Sequence, residues 1–460
     1  MEREARRYLY GSTSLSFLIR FSGMVVLFLA HVFVARSLSI SSYGQYAYIV
    51  ELTAVLSVVI SLGFAQIAVR VVPDLMDTDD RAGLRRFNLI GTGIIFLITL
   101  LAGPLIFVAW HLGALPDGME SKLVAVALFL LLSTSLLRFS QEIMRGARKI
   151  VLSQLFEQLV WPLGMLVAGI YLFAFGAAAN ALDMAMLHAS MFLLCWLALL
   201  GLTFRLVGSR QGVRERSSDA SAQEWLGLGF PLAISGLLAV FLKRGDILAL
   251  GAMSSPDQVA PYAAAVRVSG LTIFGLAAAS AASAPMMRSY WKQQDINGLQ
   301  GCIDRSASIA TLFSLPLVLI FLIAPEFLLS VFGPAYRDGA TALRILGVGQ
   351  LVNAITGPAA PLMVATGMQR LYLATSLFSA IFMVVALALL LPRFGAAGAA
   401  AAAAMAVMSF NGALVLIISQ RLKVRSYATL STLNATLREG AGAFKGIARR
   451  TRARMSGGRR

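Results

Sequence analysis

The residues in this chain with the means to do chemistry are charges placed where charges are costly. Residues 230–251 read FPLAISGLLAVFLKRGDILALG, apolar enough to span a bilayer, yet they include Lys243, Arg244 and Asp246. A short loop leads to a second apolar run, 259–286, which carries Arg267. Near the bilayer centre each such charge costs about 2.5–3.5 kcal/mol on insertion scales. They are tolerable only if they face water, one another or a ligand. Lys243 and Asp246, three residues apart, share a helix face and are expected to pair. Arg244 points about 100° away from Lys243 and needs a different partner. Two readings stand: ion pairs that fix helix packing, or a water-filled cationic chamber on a pathway through the membrane.

Charges so placed require elements that hold them inside a bilayer. Of 460 residues, 58% are hydrophobic and only 13% charged. Repeated apolar runs of about twenty residues describe an all-α polytopic membrane protein. The runs are too continuous for the alternating strands of a barrel. A net charge of +17 would point to nucleic acid in a soluble protein. Here the basic residues collect in loops on one side, which topology and contact with membrane lipids explain, so no nucleic-acid partner is expected. Cys195 in an apolar span and Cys302 in a polar stretch suggest neither a disulfide framework nor a metal site. His31, His111 and His188 are scattered over different segments, and no cofactor is expected.

The first apolar run, 15–35, contains Arg20 and lacks a small-residue cleavage site, so it is expected to be a retained span. Further spans are expected at 46–69, with Glu51 inside, and at 87–110, 123–144, 153–175 and 185–206. The fifth holds Glu157, with Pro162 as a kink. In the fourth, Arg138 and Glu142 are spaced to neutralise each other. After the polar stretch 207–223 come the two charged spans of the opening paragraph, then 306–324, 340–365, 371–391 and 396–420. That makes about twelve. Short surface helices are expected within 70–86 and 288–305. The run GAAGAAAAAAMA offers small residues for close packing.

The domain reading is a six-helix bundle over 1–206, a cytoplasmic linker 207–224, a second six-helix bundle over 225–420 and a basic cytoplasmic tail 421–460. The tail, with Arg449, Arg450, Arg452, Arg454, Arg459 and Arg460, is expected to lie on anionic lipid or to lack fixed structure. With the N-terminus in the cytoplasm, the loops on that side hold about fifteen Lys and Arg against about five opposite, which puts both termini inside. At about 1.5 Å per residue, Glu51, Lys243, Asp246 and Arg267 lie roughly 8–12 Å from the outer ends of their spans. Arg20 and Glu157 lie roughly 10 Å from the inner ends of theirs.

The two halves show a short repeat. YGQYAYIVE (43–51) aligns with VAPYAAAVR (259–267), so that Tyr46 matches Tyr262 and Glu51 falls opposite Arg267. Matching hairpins in the same orientation suggest parallel halves. Three stretches carry a wider resemblance: VARSLSISSYGQYAYIVELTAVLSVVISLGFAQIAVRVVPDL (34–75), LKRGDILALGAMSSPDQVAPYAAAVRV (242–268) and VFGPAYRDGATALRILGVGQLVNAITGPAAPLMVATGMQR (331–370). With them the chain resembles the polysaccharide transporter branch, including Wzx-type oligosaccharide flippases, of the multidrug/oligosaccharidyl-lipid/polysaccharide flippase superfamily.

That resemblance implies two six-helix bundles related by a pseudo-two-fold axis along the membrane normal, and a secondary-type transporter in place of an enzyme. It implies movement of an undecaprenyl-pyrophosphate-linked oligosaccharide from the cytoplasmic to the periplasmic leaflet of a bacterial inner membrane, by alternating access. Surface polysaccharide biosynthesis (O-antigen, exopolysaccharide or capsule) would be served, alongside a glycan polymerase and export machinery. Arg20, Lys243, Arg244 and Arg267 are then the candidates for the pyrophosphate, Arg supplying forked donors that match phosphate oxygens. Glu51, Glu157 and Asp246 would hold those cations or carry a coupling proton or sodium ion.

Two rival readings rest on the same residues. A multidrug exporter of the same superfamily favours an acidic cavity, whereas these charges balance or tilt positive. A membrane glycan polymerase or ligase needs reactive groups on a sizeable outer loop. The longest here, 325–339, holds Glu326, Arg337 and Asp338 but reads as a helix cap. No GxxxxGK[ST] loop occurs, so direct ATP use is not expected.

Overall fold

The computed structural model describes residues 2–111, 121–176, 179–208 and 222–439, all helices and short connections, with no strand among the described residues. Among the described residues eleven helical stretches are long and apolar enough to cross a membrane, and the last is long enough to cross twice, which makes room for twelve crossings. That last helix runs Gln369–Leu422, 54 residues, or about 80 Å against a hydrocarbon core of about 30 Å. Gly395, three residues after Pro392, breaks it with φ 55° and ψ −132°, backbone that only glycine adopts freely. The chain is a multi-pass membrane protein. Its helices carry apolar residues on their outer faces to an extent that water would not tolerate: Leu100 and Leu105 are 73% and 70% exposed.

The first half contributes α1 (Glu2–Ser37), α2 (Ile40–Ile60), α3 (Phe64–Asp77), α4 (Arg81–His111), α5 (Ser121–Gly146), α6 (Ile150–Leu155), α7 (Trp161–Phe175) and α8 (Ala181–Gly208). Ser39 starts α2 by accepting a hydrogen bond from the Ser42 amide. The expected span 46–69 ends sooner than its apolar pattern suggests. Leu62 and Gly63 both take positive φ, 43° and 85°, and the chain restarts as α3. This helix buries Phe64, Ile67, Ala68, Val72 and Leu75 and leaves Arg70, Asp74 and Asp77 outside. The surface helix expected within 70–86 therefore begins earlier, at Phe64.

The second half contributes α9 (Ala222–Met253), α10 (Pro256–Ser269), α11 (Ile273–Lys292), α12 (Ile296–Ile323), α13 (Pro325–Ser330), α14 (Ala340–Ile355), α15 (Ala359–Ala365) and α16 (Gln369–Leu422). A single 3₁₀ turn, Gly270–Thr272, joins α10 to α11. The separate surface helix expected at 288–305 does not form. The Asp295 carboxylate accepts from the Gly298 amide at 2.8 Å and caps α12, so the stretch divides into the end of α11, a sharp turn at 293–295 and the start of α12. The tail is also more ordered at its start than expected. Gln300 exchanges two hydrogen bonds with the Arg425 backbone, residues 430–439 are helical, and Arg305 pairs with Glu439. The arginines from Arg449 to Arg460, and residues 209–221 of the linker, lie outside the described residues.

Two compact units are resolved. One comprises Met1–Arg267, Glu326–Ala342 and Leu387–Ala399; the other comprises Val268–Pro325, Leu343–Ala386 and Ala400–Arg460. The first has an aromatic centre in which Phe87 stacks with Phe64 at 5.6 Å and meets Trp225 edge-on at 5.1 Å. In the second, α11 buries Gly275, Ala279 and Ser283 at four-residue spacing, which lets α12 approach closely. The alanine run packs in the same way: Ala404 lies where a Cβ on Gly349 would be 3.0 Å away.

Gly63 has both a left-handed φ and the Gly229 backbone against its open side. Gly63→Ala is expected to cost about 2–4 kcal/mol through strain and overlap, read as a lower thermal midpoint in detergent.

Candidate functional site

The charges of the first unit meet on α2, α5, α9 and α10. Glu51 lies midway along α2 with only 3% of its surface exposed. Burying a carboxylate there demands cations, and the fold brings two. Arg244 of α9 places Nη1 between both carboxylate oxygens, at 2.6 and 2.7 Å. Arg267 of α10 approaches from the other side, its Nη2 3.9 Å from Oε1. The two guanidiniums are held differently. Arg267 is 12% exposed, donates to the Ala263 carbonyl one turn back and lies 5.6 Å over the Tyr43 ring. Arg244 is 42% exposed, and Glu51 is its one hydrogen-bond acceptor among the described residues.

One turn along α2, Arg138 of α5 donates to the Ala54 carbonyl at 3.0 Å and to Ser57 Oγ at 2.9 Å. Two turns further along α5, Arg145 joins two acids, Glu142 at 2.5 Å and Glu157. Glu157 sits in a five-residue π-helical stretch, Phe156–Val160, immediately before Pro162 in α7. The extra residue in that turn widens the helix where proline could not have continued a regular ladder, and it turns Glu157 toward α5.

Two expected pairings are corrected. Lys243 and Asp246 do not pair: Asp246 is buried and its Oδ2 accepts from the Tyr262 hydroxyl at 2.6 Å, its Oδ1 from the Ile247 amide at 2.9 Å. Lys243 is exposed and makes no hydrogen bond or ion pair among the described residues. Arg138 and Glu142 do not pair either; Arg145, at i,i+3, takes the acid, and Arg138 turns to α2. Of the candidate residues, the structure brings Glu51, Arg244 and Arg267 into one cluster. It gives Glu157 to Arg145, encloses Asp246 with Tyr262, and leaves Arg20 exposed on α1.

Sequence reasoning missed Arg145, which bridges two acids, and Tyr43 beneath Arg267. It also gave His188 no role, although His188 Nδ1 lies 2.9 Å from the Tyr46 hydroxyl and its ring stacks on Trp161 at 5.0 Å. One signal was available: Arg138 and Arg145 are seven residues apart, which puts both on one face of α5.

Arg244 presents forked donors at a surface, and its carboxylate partner has a second cation in Arg267. The profile of a family described as polysaccharide biosynthesis protein matches residues 10–291, which include this whole cluster. A second profile, MatE, matches 231–390. No curated protein matches the sequence. Among solved structures, the chain is similar to the inward-facing conformation of a multidrug resistance MATE family transporter of the MOP superfamily: 14% identity, TM-score 0.65, over 88% of this chain and 98% of that one. It is similar to the lipid II flippase MurJ in an inward closed conformation, at 12% identity and TM-score 0.68, over 92% and 89%. A MOP superfamily transporter from Pyrococcus furiosus, described as having a binding pocket of reverse polarity that suggests a different function, matches at 18% identity and TM-score 0.58, over 89% and 94%. At these identities the likeness is one of fold.

Glu51→Ala strands two guanidiniums, one of them buried, and is expected to cost about 3–5 kcal/mol. Arg244→Ala leaves Glu51 with Arg267 and removes a half-exposed pair, so about 1 kcal/mol is expected. Thermal midpoints of the two variants in one detergent check the order.

Proposed function

This chain belongs to the polysaccharide biosynthesis protein family, and on that premise we propose that it is a flippase for a lipid-linked oligosaccharide. The substrate is an undecaprenyl-pyrophosphate-linked glycan moved from the cytoplasmic to the periplasmic leaflet of a bacterial inner membrane, both chain termini being cytoplasmic. The glycan is destined for surface polysaccharide, so a polymerase and export machinery act downstream. The protein is a transporter and performs no bond-making step.

One observation carries this reading: Glu51 is shared by two arginines of unequal exposure. A pyrophosphate brings about two negative charges. Arg244, the more exposed partner, can exchange the Glu51 carboxylate for phosphate oxygens, and Lys243 on the next residue adds a cation with no partner to surrender. Glu51 then stays neutralised by Arg267, which its own carbonyl and ring contacts hold in place. The exchange leaves no buried charge uncompensated. Arg20, exposed on α1, is a further contact for the anion.

The same feature weighs against an exporter of organic cations. Such a substrate needs a free carboxylate, and here Glu51 and Glu157 are occupied by arginines while Asp246 is enclosed with a tyrosine. For the Pyrococcus furiosus transporter of similar fold, reverse polarity of the binding pocket is described as suggesting a different function.

Loss of a charge-assisted contact of about 1.5–3 kcal/mol corresponds to about a 10- to 100-fold effect. In proteoliposomes loaded with a fluorescent undecaprenyl-pyrophosphate glycan, Arg244→Ala is expected to slow translocation by that factor, and Arg244→Lys by less. Wild-type protein should leave drug susceptibility of a sensitive host unchanged. Translocation that is unaffected in Arg244→Ala, or drug resistance that depends on Arg244, would remove this function.

A further inference from the structure

Inside its spans the second unit holds a chain of three side-chain amides, and the chain ends on unused donors. Asn411 of α16, only 5% exposed, uses Nδ2 twice: it donates to Asn353 Oδ1 at 3.2 Å and to the Val407 carbonyl at 2.9 Å. Asn353 of α14 donates in turn to Gln350 Oε1 at 3.3 Å. Gln350 Nε2 donates to nothing among the described residues. A side-chain amide carries two N–H donors, so two remain on Gln350 and one on Asn353. The support beneath them is close-packed. A Cβ on Gly349 would stand 3.0 Å from Ala404, and the Thr311 hydroxyl of α12 donates to the Ala354 carbonyl at 3.3 Å.

Amides that only glue two membrane helices together are buried and end on an acceptor. Asn411 fits that description and Gln350 does not. Gln350 and Asn353 are both half-buried, and their exposure is not toward lipid. The outward strip of α14 is apolar: Ile345, Val348, Val352 and Ile355, with Val348 43% exposed. At 100° per residue, Gln350 and Asn353 lie about 160° and 140° round the helix from Val348. Polar groups at membrane depth that are open on such a face border water or a polar ligand. No charge takes part. The basic residue of α14, Arg344, lies about 120° round from Gln350 and turns to the Leu322 carbonyl.

We propose that Gln350 and Asn353 are a binding site for the sugar hydroxyls of the transported glycan, with Asn411 as their positioning residue. The inference rests on the flippase reading for its ligand. A sugar hydroxyl both donates and accepts, and a neutral amide offers both functions without the desolvation cost of a charge. The free N–H groups of Gln350 and Asn353 meet hydroxyl oxygens, and their carbonyl oxygens keep a lone pair each for hydroxyl protons. Asn411, fully committed on its donor side, fixes the rotamer of Asn353. The two chemistries of the substrate are thereby met by different groups, its phosphates by the arginine of the first unit and its sugars by the amides of the second.

The test compares two probes on the full chain in nanodiscs: sugar-free undecaprenyl pyrophosphate, and lipid-linked oligosaccharide extracted from the host's own membranes. Wild-type protein is expected to bind the glycosylated lipid more tightly. Gln350→Met and Asn353→Leu should each cut that advantage by about 2- to 10-fold, the size of one neutral hydrogen bond, and leave affinity for the sugar-free lipid unchanged. Arg244→Ala should weaken both probes alike. Gln350→Met loses only one long amide contact and is expected to keep the wild-type thermal midpoint, so it decides the matter even if Asn353→Leu, which deprives Asn411 of an acceptor, folds poorly. Wild-type protein that binds both lipids equally, an advantage that Gln350→Met retains, or equal losses for both probes in Gln350→Met would each overturn the amide site and leave the flippase reading standing. Wild-type protein that binds neither probe would overturn the flippase reading, and this site with it.

Discussion

A carboxylate withdrawn from water must be given a cation, and in this protein one carboxylate is given two. The demand that Glu51 makes on its surroundings ties α2, α9 and α10 together, because Arg244 and Arg267 come from different helices and meet on the same carboxylate. Sharing also makes the arrangement tolerant of change. A carboxylate with a single partner would be stranded if that partner moved, whereas one with two can lose the outer and keep the inner. The two partners differ in exposure, 42% for Arg244 against 12% for Arg267. Arg267 is anchored by a backbone carbonyl and an aromatic face, and among the described residues Arg244 is anchored by the acid alone.

The short internal repeat gains meaning from this geometry. The matched positions Glu51 and Arg267 are near neighbours, so the repeat supplies the two signs of one ion pair. The matched tyrosines have gone different ways. Tyr46 directs its hydroxyl to the imidazole of His188, which is stacked on Trp161, and Tyr262 directs its hydroxyl to the carboxylate of Asp246. The same buried hydroxyl thus serves an imidazole ring in one half and a carboxyl group in the other. In the second unit Asn353 and Asn411 pair without charge, whereas the acids shared or bridged by arginines among the described residues, Glu51, Glu142 and Glu157, lie in the first.

Much of the fold was legible because lipid leaves a chain little choice. Backbone groups without water must bond within a helix, so each long apolar run had to be a span. Breaks were less legible. The turn at Leu62 and Gly63 interrupts a run that is apolar on both sides, and its cause is an approach by the Gly229 backbone from distant sequence. The surface helix expected at 288–305 failed for a local reason that went unread, the cap at Asp295.

By itself the sequence determined that this is a polytopic helical protein with charges inside its spans, since hydropathy and the cost of burying charge are properties of residues. Spacing along one helix also correctly ruled Lys243 and Arg244 onto different faces. Partner choice was decided only by the tertiary structure. Asp246 lies one helical turn from Lys243 yet bonds to Tyr262 of another helix, and Glu142, one turn from both Arg138 and Arg145, bonds to the arginine that Glu157 of another segment also holds. Proximity along a helix offers only a weak, solvent-exposed pairing. Which group a buried charge meets is set by the rotation and closeness of neighbouring helices, and those follow from packing among residues far apart in the chain.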